Sequence, residues 1–251
     1  MVEVLSLARV AESAAQPRLR RVRPAPRRAV DTAAPQSTLP VLLTVGEPRP
    51  AARSLAKRWF DRSCAALGLI VLLPFLLLVA LAIRVQSDGP ALYRQQRIGL
   101  GGKSFTIWKF RTMNLDADAH LHGLLRHHGR AGAPLFKVPH DPRITGLGRS
   151  LRRYSIDELP QLVNVLRGEM SLIGPRPQRP DEVALYRPEH VARLQVRPGL
   201  TGLWQVHGRS ELGWDDAVQL DLQYVHHWSL RLDAHILART ARAVLRADGA
   251  V

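Results

Sequence analysis

Two adjacent carboxylates, Asp157 and Glu158, lie in an arginine-rich stretch of the chain. They follow the run GRSLRRY, which contributes Arg149, Arg152 and Arg153. A carboxylate pair among guanidinium groups has the composition that Mg²⁺-assisted phosphoryl transfer needs, because the metal ion and the arginines offset the repulsion between an anionic nucleophile and a diphosphate. We expect these cations and a nearby helix N-terminus to hold Asp157 ionised.

The same two residues also admit a purely structural interpretation. In the segment SIDELP, Ser155 and Glu158 fit a capping box, whereas Asp157 as the N-cap would put Pro160 in the first turn, where proline is tolerated. Either arrangement starts a helix, which LPQLVNVLRG continues with apolar residues at helical spacing until Gly168 ends it. One cap needs one side chain, so the second carboxylate favours a functional site, while capping stays the alternative.

Further charged groups precede and follow this pair. The block LFKVPHDPRIT brings in Lys137, Asp141 and Arg143, and SLIGPRPQRP places Arg176 between two prolines. Proline fixes the backbone φ angle, so Arg176 can be aimed with little loss of conformational entropy. An arginine held in this way suits a diphosphate or an acidic partner equally well. Further along, Trp204 is either a surface for a base or sugar or a buried side chain that follows a tight turn.

The elements that must position these groups are short. Residues 91–94 and Ser104–Phe110 predict two strands of a hairpin, joined by a glycine-rich turn. Residues 114–128 predict a polar helix with four histidines, but no second ligand cluster accompanies them, so a metal site there is disfavoured. Cys64 is the only cysteine, which excludes an internal disulfide and fits a reducing, cytosol-facing location.

A long apolar segment precedes the hairpin. Between Arg62 and Arg84 lie 21 uncharged residues, which as a helix would be roughly 31 Å long, enough to cross a bilayer core. Basic residues flank both ends, so the positive-inside rule gives a crossing no orientation. Pro74 at the centre removes a backbone hydrogen bond and bends a helix. These features slightly favour a re-entrant hairpin, and a spanning helix stays open because proline kinks also occur in true spans.

The net charge of +15 points to anionic partners, which include nucleic acid, acidic phospholipid and phosphorylated substrates. The first fifty residues hold seven of the eighteen prolines and eight arginines without a regular period. We interpret residues 1–53 as a disordered basic arm, either held against anionic lipid or merely a solvated linker. The C-terminal segment predicts an interfacial amphipathic helix, with a core-packed helix as the alternative. Its apolar face carries Trp228, Leu232, Ile236 and Leu237.

Taken together, these segments resemble the bacterial sugar transferase family, the monotopic polyprenyl-phosphate phosphoglycosyl transferases. Seven segments occur in the same order as in members of that family: KRWFD, the apolar segment with its proline, DGPALYRQQRIG, FTIWKFRTM, DPRITGLGRSLRRYSIDELPQLVNVLRGEMSLIGPRP, VRPGLTGLWQVHGR and YVHHWSL. The resemblance implies an α/β membrane-associated fold. We expect a re-entrant helix-break-helix anchor over residues 54–88, a small cytoplasmic α/β catalytic domain over 89–230, and interfacial amphipathic helices, the last over 231–251.

The resemblance also implies an activity at the cytoplasmic face of the bacterial inner membrane. Family members transfer a sugar 1-phosphate from a UDP-sugar to polyprenyl phosphate, the first membrane step of exopolysaccharide or O-antigen assembly. By this resemblance Asp157 is the nucleophile that forms an aspartyl phosphosugar and releases UMP. Glu158 is the second catalytic residue, which binds Mg²⁺ or handles protons, so both carboxylates are candidate ligands of an Mg²⁺ cofactor. The substrate-binding set is expected to be Lys109, Arg111, Lys137, Asp141, Arg143, Arg152, Arg153 and Arg176.

Two other classes of function compete with this one. A membrane-tethered nucleic-acid binder would explain the charge, but it predicts stacking aromatics or a recognition helix, and the sequence has neither pattern. An inactive adaptor of the same fold, which binds anionic lipid or a nucleotide, predicts that Asp157→Asn changes no chemistry. We therefore expect a UDP-sugar, polyprenyl phosphate and an anionic phospholipid membrane as partners and no nucleic acid, and the resemblance is compatible with a homodimer.

Overall fold

The computed structural model describes residues 45–117, 141–208 and 212–246, which form a mixed α/β fold. Its helices are α1 (Pro50–Arg53), α2 (Leu55–Gln86), α3 (Gly146–Arg153), α4 (Leu162–Arg167), α5 (Pro180–Val183), α6 (Trp214–His227) and α7 (Leu230–Arg246). The strands are β1 (Leu92–Ile98), β2 (Ser104–Phe110), β3 (Ser171–Ile173) and β4 (Gly199–Thr201). Short 3₁₀ helices are η1 (Leu100–Gly102), η2 (Ile156–Gln161), η3 (Pro188–Gln195) and η4 (Trp204–Val206). The predicted mixture of helix and sheet is confirmed.

The predicted hairpin is present, and β1 pairs with β2 in antiparallel register. The bounds of β2 are those predicted, whereas β1 continues to Ile98 because its second half also pairs with β2. A second, smaller sheet joins β3 and β4 in parallel. The hairpin places Lys109 near the end of β2, and β3 leads directly into the loop that carries Arg176.

The main hydrophobic core lies where α2, α4 and α6 meet the small parallel sheet and α7. Its fully buried side chains include Val165, Ile173, Tyr224 and Ile236. Since these residues come from four different elements, the core fixes β3, and with it the loop that follows, relative to the rest of the described chain.

The apolar segment forms one helix, α2, which is helical without interruption through Pro74. The expected division into two helices with a break is therefore not observed. Proline in a helix interior costs one backbone hydrogen bond, about 3 kcal/mol, and the packed face of α2 offsets this cost. Buried side chains recur along that face from Lys57 through Ala65 and Leu76 to Ile83.

The rest of the α2 surface is apolar and exposed. Large hydrophobic side chains such as Trp59, Ile70, Leu77 and Val85 are more than half exposed. Among the residues that the structure describes, α2 is the one helix whose length and composition would allow it to cross a membrane. Exposed apolar surface of this extent marks a site of membrane or protein contact, so the membrane association of this segment is consistent with the structure, while its re-entrant path stays a prediction.

Both ends of the chain differ in part from their predictions. Residues 1–44 lie outside the described part, but the last residues assigned to the arm belong to the folded unit. Val45 packs against a small buried cluster, Arg49 Nε donates to Gln195 Oε1 at 2.8 Å, and Ala51 and Ala52 are buried. The boundary of the arm at residue 53 is therefore too late.

The apolar face predicted for the C-terminal helix is present in α7, but it packs on the main core. Ile236 is fully buried, and Leu232, Leu237 and the preceding Trp228 are partly buried against the same cluster. The core-packed alternative therefore describes this face, while Arg239 and Arg242 lie exposed on the other side. An interfacial role for the exposed side stays a prediction.

A buried polar network ties α2 to the small sheet and to α7. Lys57 Nζ donates to Asp233 Oδ2 at 2.7 Å, and Asp61 Oδ2 accepts from Ser171 Oγ at 2.6 Å. Tyr224 Oη lies 2.9 Å from both Asp233 Oδ1 and the Ile173 carbonyl oxygen. Lys57 and Asp61 are one helical turn apart in KRWFD, so one face of α2 carries both contacts.

Candidate active site

The two adjacent carboxylates lie on η2, in a tight turn that follows α3. Ser155 has a left-handed backbone conformation, with φ of 56°, and its carbonyl oxygen accepts from Glu158 N at 3.2 Å. No side chain caps this 3₁₀ helix. The capping interpretation of Asp157 and Glu158 is therefore wrong, and both carboxylates are left for other contacts.

Glu158 is held by two cations from separate parts of the fold. Lys109 Nζ on β2 donates to Glu158 Oε1 at 2.7 Å, and Arg176 Nη1 lies 3.5 Å from the same oxygen. Burial alone would raise the pKa of the Glu158 carboxyl, but Lys109 and Arg176 outweigh burial and lower it to about 2. Glu158 is therefore a permanent anion that links the hairpin, η2 and the Arg176 loop.

Asp157 differs sharply from its neighbour. Its residue surface is only 9% exposed, and within residues 45–117, 141–208 and 212–246 its carboxylate makes no hydrogen bond or ion pair. Burial, followed by the charge of Glu158, raises the pKa of Asp157 to about 6, although three nearby cations oppose this. The cations thus act in the expected direction but are outweighed. At pH 7 the carboxylate is still the main form.

Arg152 lies on the last turn of α3 and is directed towards the same region. Its Nε donates to Thr112 Oγ1 at 2.9 Å, which fixes the guanidinium while leaving its terminal nitrogens available. Burial lowers the pKa of Arg152, whereas the charges of Asp157 and Asp141 raise it. The net effect is a lowered pKa, but a guanidinium keeps its charge at neutral pH because it is intrinsically very basic, and this charge is close enough to Asp157 to act on it.

Asp141 and Arg143 are paired mainly with each other. Arg143 Nη2 donates to Asp141 Oδ2 at 2.7 Å, and Arg143 Nε donates to Asp141 Oδ1 at 2.9 Å. Burial would raise the pKa of Asp141, but the hydrogen bonds from Arg143 outweigh this and lower it. The charges of both residues also act on Arg152, so the pair influences the site through that arginine.

Two members of the expected substrate-binding set are not brought to the dyad, the pair Asp157 and Glu158. Arg111 donates to the carbonyl oxygens of Ser87 and Asp88 and, at 2.7 Å, to Ser87 Oγ, so it closes the C-terminal end of α2. Arg153 is exposed, with its guanidinium 5.8 Å from the Tyr154 ring centroid. Lys137 lies outside the described residues.

Arg176 is positioned by buried groups that the sequence did not reveal. Its guanidinium lies 5.8 Å from the ring centroid of Trp204, which is buried, as the simpler interpretation of that residue predicted. Below the loop, Arg193 Nη2 donates to the Arg176 carbonyl oxygen at 3.3 Å, and Arg97 Nη1 donates to the Pro177 carbonyl oxygen at 3.2 Å. Neither arginine stands in a motif that suggested this role.

The donor set fits a magnesium ion to a limited extent. The described residues contain no group of three or more His, Cys, Asp or Glu side chains that could hold a metal. Mg²⁺, however, commonly binds through one or two carboxylates together with waters and substrate phosphates. The carboxylate of Asp157 and the Glu158 oxygen that Lys109 does not take meet that requirement, so the residues present fit the ion.

Comparison with known proteins gives a consistent picture. The chain matches the family model for bacterial sugar transferases over residues 52–247. It is 46% identical over 198 residues to the Salmonella typhimurium undecaprenyl-phosphate galactose phosphotransferase, which covers 77% of this chain and 41% of that protein. It is 44% identical over 226 residues to the Caulobacter vibrioides UDP-glucose:undecaprenyl-phosphate glucose-1-phosphate transferase, covering 85% of this chain and 79% of that protein.

A third relative is similar in length to this chain. The exopolysaccharide production protein ExoY of Rhizobium meliloti is 42% identical over 198 residues, which cover 78% of this chain and 88% of that protein. The chain thus spans less than half the length of the Salmonella protein and most of the length of the other two relatives.

Proposed function

The chain belongs to the bacterial sugar transferase family, and from that premise we propose that it transfers a sugar 1-phosphate from a UDP-sugar to polyprenyl phosphate, with release of UMP. Two of its relatives are named as transferring galactose or glucose-1-phosphate to undecaprenyl phosphate. Undecaprenyl phosphate is therefore the proposed acceptor and a hexose the proposed sugar. Such a transfer would be the first membrane step in the assembly of an exopolysaccharide or O-antigen.

The observation that carries this proposal is the unequal state of the two carboxylates. Glu158 is occupied by Lys109 at 2.7 Å, whereas Asp157 is buried beside it with no bonded partner among the described residues. A nucleophile must be free to approach phosphorus, and a desolvated carboxylate is more reactive than a hydrated one. Asp157 is therefore the proposed nucleophile.

The proposed reaction has two steps. An Asp157 oxygen attacks the sugar-linked phosphorus of the UDP-sugar; the bond to the bridging oxygen breaks and UMP leaves with the electron pair. A phosphate oxygen of the polyprenyl acceptor then attacks the phosphorus of the aspartyl phosphosugar, which yields a polyprenyl diphosphate sugar and restores the carboxylate. Because the covalent intermediate divides the transfer, the soluble donor and the lipid acceptor need not occupy the site together.

Charge compensation is the task of the surrounding cations. Arg152 precedes the two carboxylates in the chain and Arg176 follows them, and both guanidinium groups lie near them. Guanidinium groups bind phosphate oxygens through paired hydrogen bonds. Lys109 neutralises Glu158, which otherwise would repel the donor. Mg²⁺, held by Asp157 and Glu158, would offset the remaining charge of the diphosphate when bound.

The arrangement of α2 supports membrane association from one face. Its buried side chains run from Lys57 to Ile83, a distance of about 39 Å along a helix. A spanning orientation would carry α3 and η2, which pack on that face through Leu151 and Leu159, together with their charged side chains into roughly 30 Å of hydrocarbon, where charged groups are costly. We therefore propose a monotopic anchor on the cytoplasmic face of the bacterial inner membrane, in which α2 re-enters by a bend at Pro74 and not by the break that the sequence led us to expect. Cysteine labelling on either side of α2 tests it, because labels accessible only from opposite faces would require a span.

The activity is tested by UMP release from UDP-hexoses in the presence of Mg²⁺ and undecaprenyl phosphate, with the protein in detergent. Asp157→Asn should lower the rate by about a thousandfold or more, as expected for loss of a nucleophile. Asp216→Asn, an exposed aspartate on α6, is the control and should leave the rate unchanged. Incubation with donor alone should add one phosphosugar mass to the peptide that contains Asp157.

The competing interpretation, an inactive adaptor that binds a nucleotide or anionic lipid, makes the opposite forecast. It expects no UMP release from any UDP-sugar by the wild-type protein, and it expects nucleotide affinity to be equal for wild type and Asp157→Asn. A normal rate in Asp157→Asn would refute the assignment of the nucleophile.

A further inference from the structure

A buried ion pair lies directly beneath the loop that carries Arg176. Arg193 on η3 donates through Nε and Nη2 to Asp221 Oδ2 on α6, at 3.1 and 2.6 Å. Its Nη1 donates to the hydroxyl of Tyr186. The side chains of the pair are only 2% and 1% exposed, so water contributes almost nothing to their solvation.

The same arginine reaches the backbone of the loop. Arg193 Nη2 lies 3.3 Å from the Arg176 carbonyl oxygen, and the backbone N–H of Arg176 is close enough to Asp221 to stabilise its charge. The ion pair therefore binds the Arg176 backbone through its carbonyl oxygen, and the N–H of the same residue lies nearby. Removing two charges from water is expensive, and an apolar pair of similar volume is often at least as stable. A contribution to stability alone does not account for an ion pair at this position.

A second buried arginine holds the neighbouring residue of the loop. Arg97 on β1 donates from Nη1 to the Pro177 carbonyl oxygen at 3.2 Å and lies 3.6 Å from Glu182 Oε2. Two consecutive carbonyl oxygens of the loop are thus each bound by a guanidinium from a different element. Two rigid anchors and two prolines leave the Arg176 backbone little freedom.

We propose that the Arg193–Asp221 pair is a positioning device, which fixes the backbone of Arg176 so that its guanidinium is held ready for the donor diphosphate. This inference rests on the proposed function only for the statement that the ligand of Arg176 is the donor diphosphate. Arg193 and Asp221 are buried beneath the loop and act through Arg176, whose guanidinium lies near both Trp204 and Glu158.

The chain offers a matched control for this pair. Arg187 and Asp215 also connect η3 with α6, since Arg187 is the N-cap of η3 and its Nη2 lies 3.0 Å from Asp215 Oδ1. Their side chains are 56% and 72% exposed, and neither contacts the Arg176 loop. If the effect of a substitution arises only because η3 packs less tightly on α6, variants of both pairs should show it. If it arises because Arg176 is no longer positioned, only variants of the buried pair should show it.

The first measurement is structural and needs no turnover. Amide hydrogen exchange of the peptide that spans residues 171–179 is compared between Arg193→Lys, the double variant Arg193→Met/Asp221→Leu, and Arg187→Met/Asp215→Leu. The double variant leaves no buried charge unpaired and so remains folded if the single variant does not. We expect exchange of this peptide to rise at least tenfold in the first two variants and to be unchanged in the third. Equal exchange in all three would overturn the proposal.

The second measurement separates positioning from a general structural role. The affinity for UDP with Mg²⁺ should fall about tenfold or more in Arg193→Met/Asp221→Leu, as expected when a charge-assisted hydrogen bond is lost. In an Arg176→Met background the same double change should have almost no further effect, because the group that it positions is already absent. Additive losses would overturn the proposal. Absence of UMP release by the wild-type protein would refute the proposed function but would not alter the exchange result.

Discussion

Replacement of Asp233 should destabilise the attachment of α2 to the rest of the protein. Asp233 Oδ2 accepts from Lys57 Nζ at 2.7 Å and from Trp228 Nε1 at 3.0 Å, and Oδ1 accepts from Tyr224 Oη at 2.9 Å. The side chains of Lys57 and Asp233 are 4% and 6% exposed. Asp233→Ala therefore leaves a buried ammonium group whose nearest remaining carboxylate is Asp61, at 3.8 Å.

The size of the effect follows from burial. Breaking a buried ion pair by removing one partner costs about 3–5 kcal/mol, and for a protein of this size each kcal/mol lowers the melting temperature by about 2–4 °C. Asp233→Ala should then lower the melting temperature by about 6–20 °C. Asp233→Asn should have a smaller effect, because an amide oxygen turned towards Lys57 and Trp228 keeps both hydrogen bonds, while the hydroxyl of Tyr224 can accept from the amide nitrogen.

The assay is thermal unfolding of the detergent-solubilised protein, followed by intrinsic tryptophan fluorescence. Arg53→Met is the control, since its partner Glu47 is 86% exposed and a surface pair of this kind is worth under about 1 kcal/mol. Lys57→Met/Asp61→Asn/Asp233→Leu should be more stable than Asp233→Ala, because it leaves neither the Lys57 ammonium nor the Asp61 carboxylate buried without a counter-charge. The reasoning is refuted if Asp233→Ala and Arg53→Met lower the melting temperature equally.

Three further predictions concern the site. Thr112→Val removes the hydrogen bond that fixes Arg152, at 2.9 Å, and should raise the KM for the UDP-sugar about tenfold with little change in kcat. Lys109→Met leaves Glu158 with Arg176 alone, at 3.5 Å, and should lower kcat/KM for UMP release by about tenfold or more while raising the pKa of Glu158. Burial raises the pKa of Asp221 to about 6, so the folded state binds this proton more tightly than the unfolded state. The stability that this proton contributes is present below pH 4 and lost as the pH rises through 6, and Asp221→Asn should abolish that slope in urea unfolding.

Matched substitutions distinguish these effects from non-specific damage. Arg153→Met removes a neighbouring but exposed arginine of α3 and should leave the KM for the donor unchanged. Lys103→Met removes an exposed lysine of the hairpin turn and should leave kcat/KM unchanged. Asp216→Asn should preserve the pH dependence of stability. A tenfold rise of KM in Arg153→Met, a tenfold fall of kcat/KM in Lys103→Met, or loss of the pH dependence in Asp216→Asn would contradict the corresponding prediction.

Local signals in the sequence were sufficient for elements that local geometry determines. The bounds of β2 were predicted, since alternation and a glycine-rich turn specify a hairpin. Gly168 ends α4 with φ of 79°, a left-handed conformation that glycine adopts without a steric penalty. The pair Asp157 and Glu158 was also recognised from local sequence. A helix cap requires one side chain, and the segment SIDELP offers two adjacent carboxylates.

The groups beneath the Arg176 loop could not be found in this way. Arg193 and Asp221 are 28 residues apart, and charged residues at such positions are usually exposed. Val191 and Leu194 on η3 are buried, but apolar neighbours do not indicate that the arginine between them is buried as well. Arg193 can be buried because α6 packs against η3 and places the Asp221 carboxylate within hydrogen-bonding distance. This packing is a property of the tertiary fold and cannot be read from the local sequence. The same holds for Pro74, whose helical conformation depends on the packed face of α2.

Adjacent carboxylates of almost equal intrinsic acidity become distinct groups only through their neighbours. Lys109 and Arg176 both approach Glu158, which lowers its pKa to about 2, and the charge so fixed, together with burial, raises the pKa of Asp157 to about 6. A second carboxylate beside a nucleophile would be a disadvantage if both were free, because two anions would repel the donor. With Glu158 neutralised by lysine, the pair presents one available carboxylate between two arginines. The cations therefore do more than attract phosphate: by binding one acid they determine which acid can react.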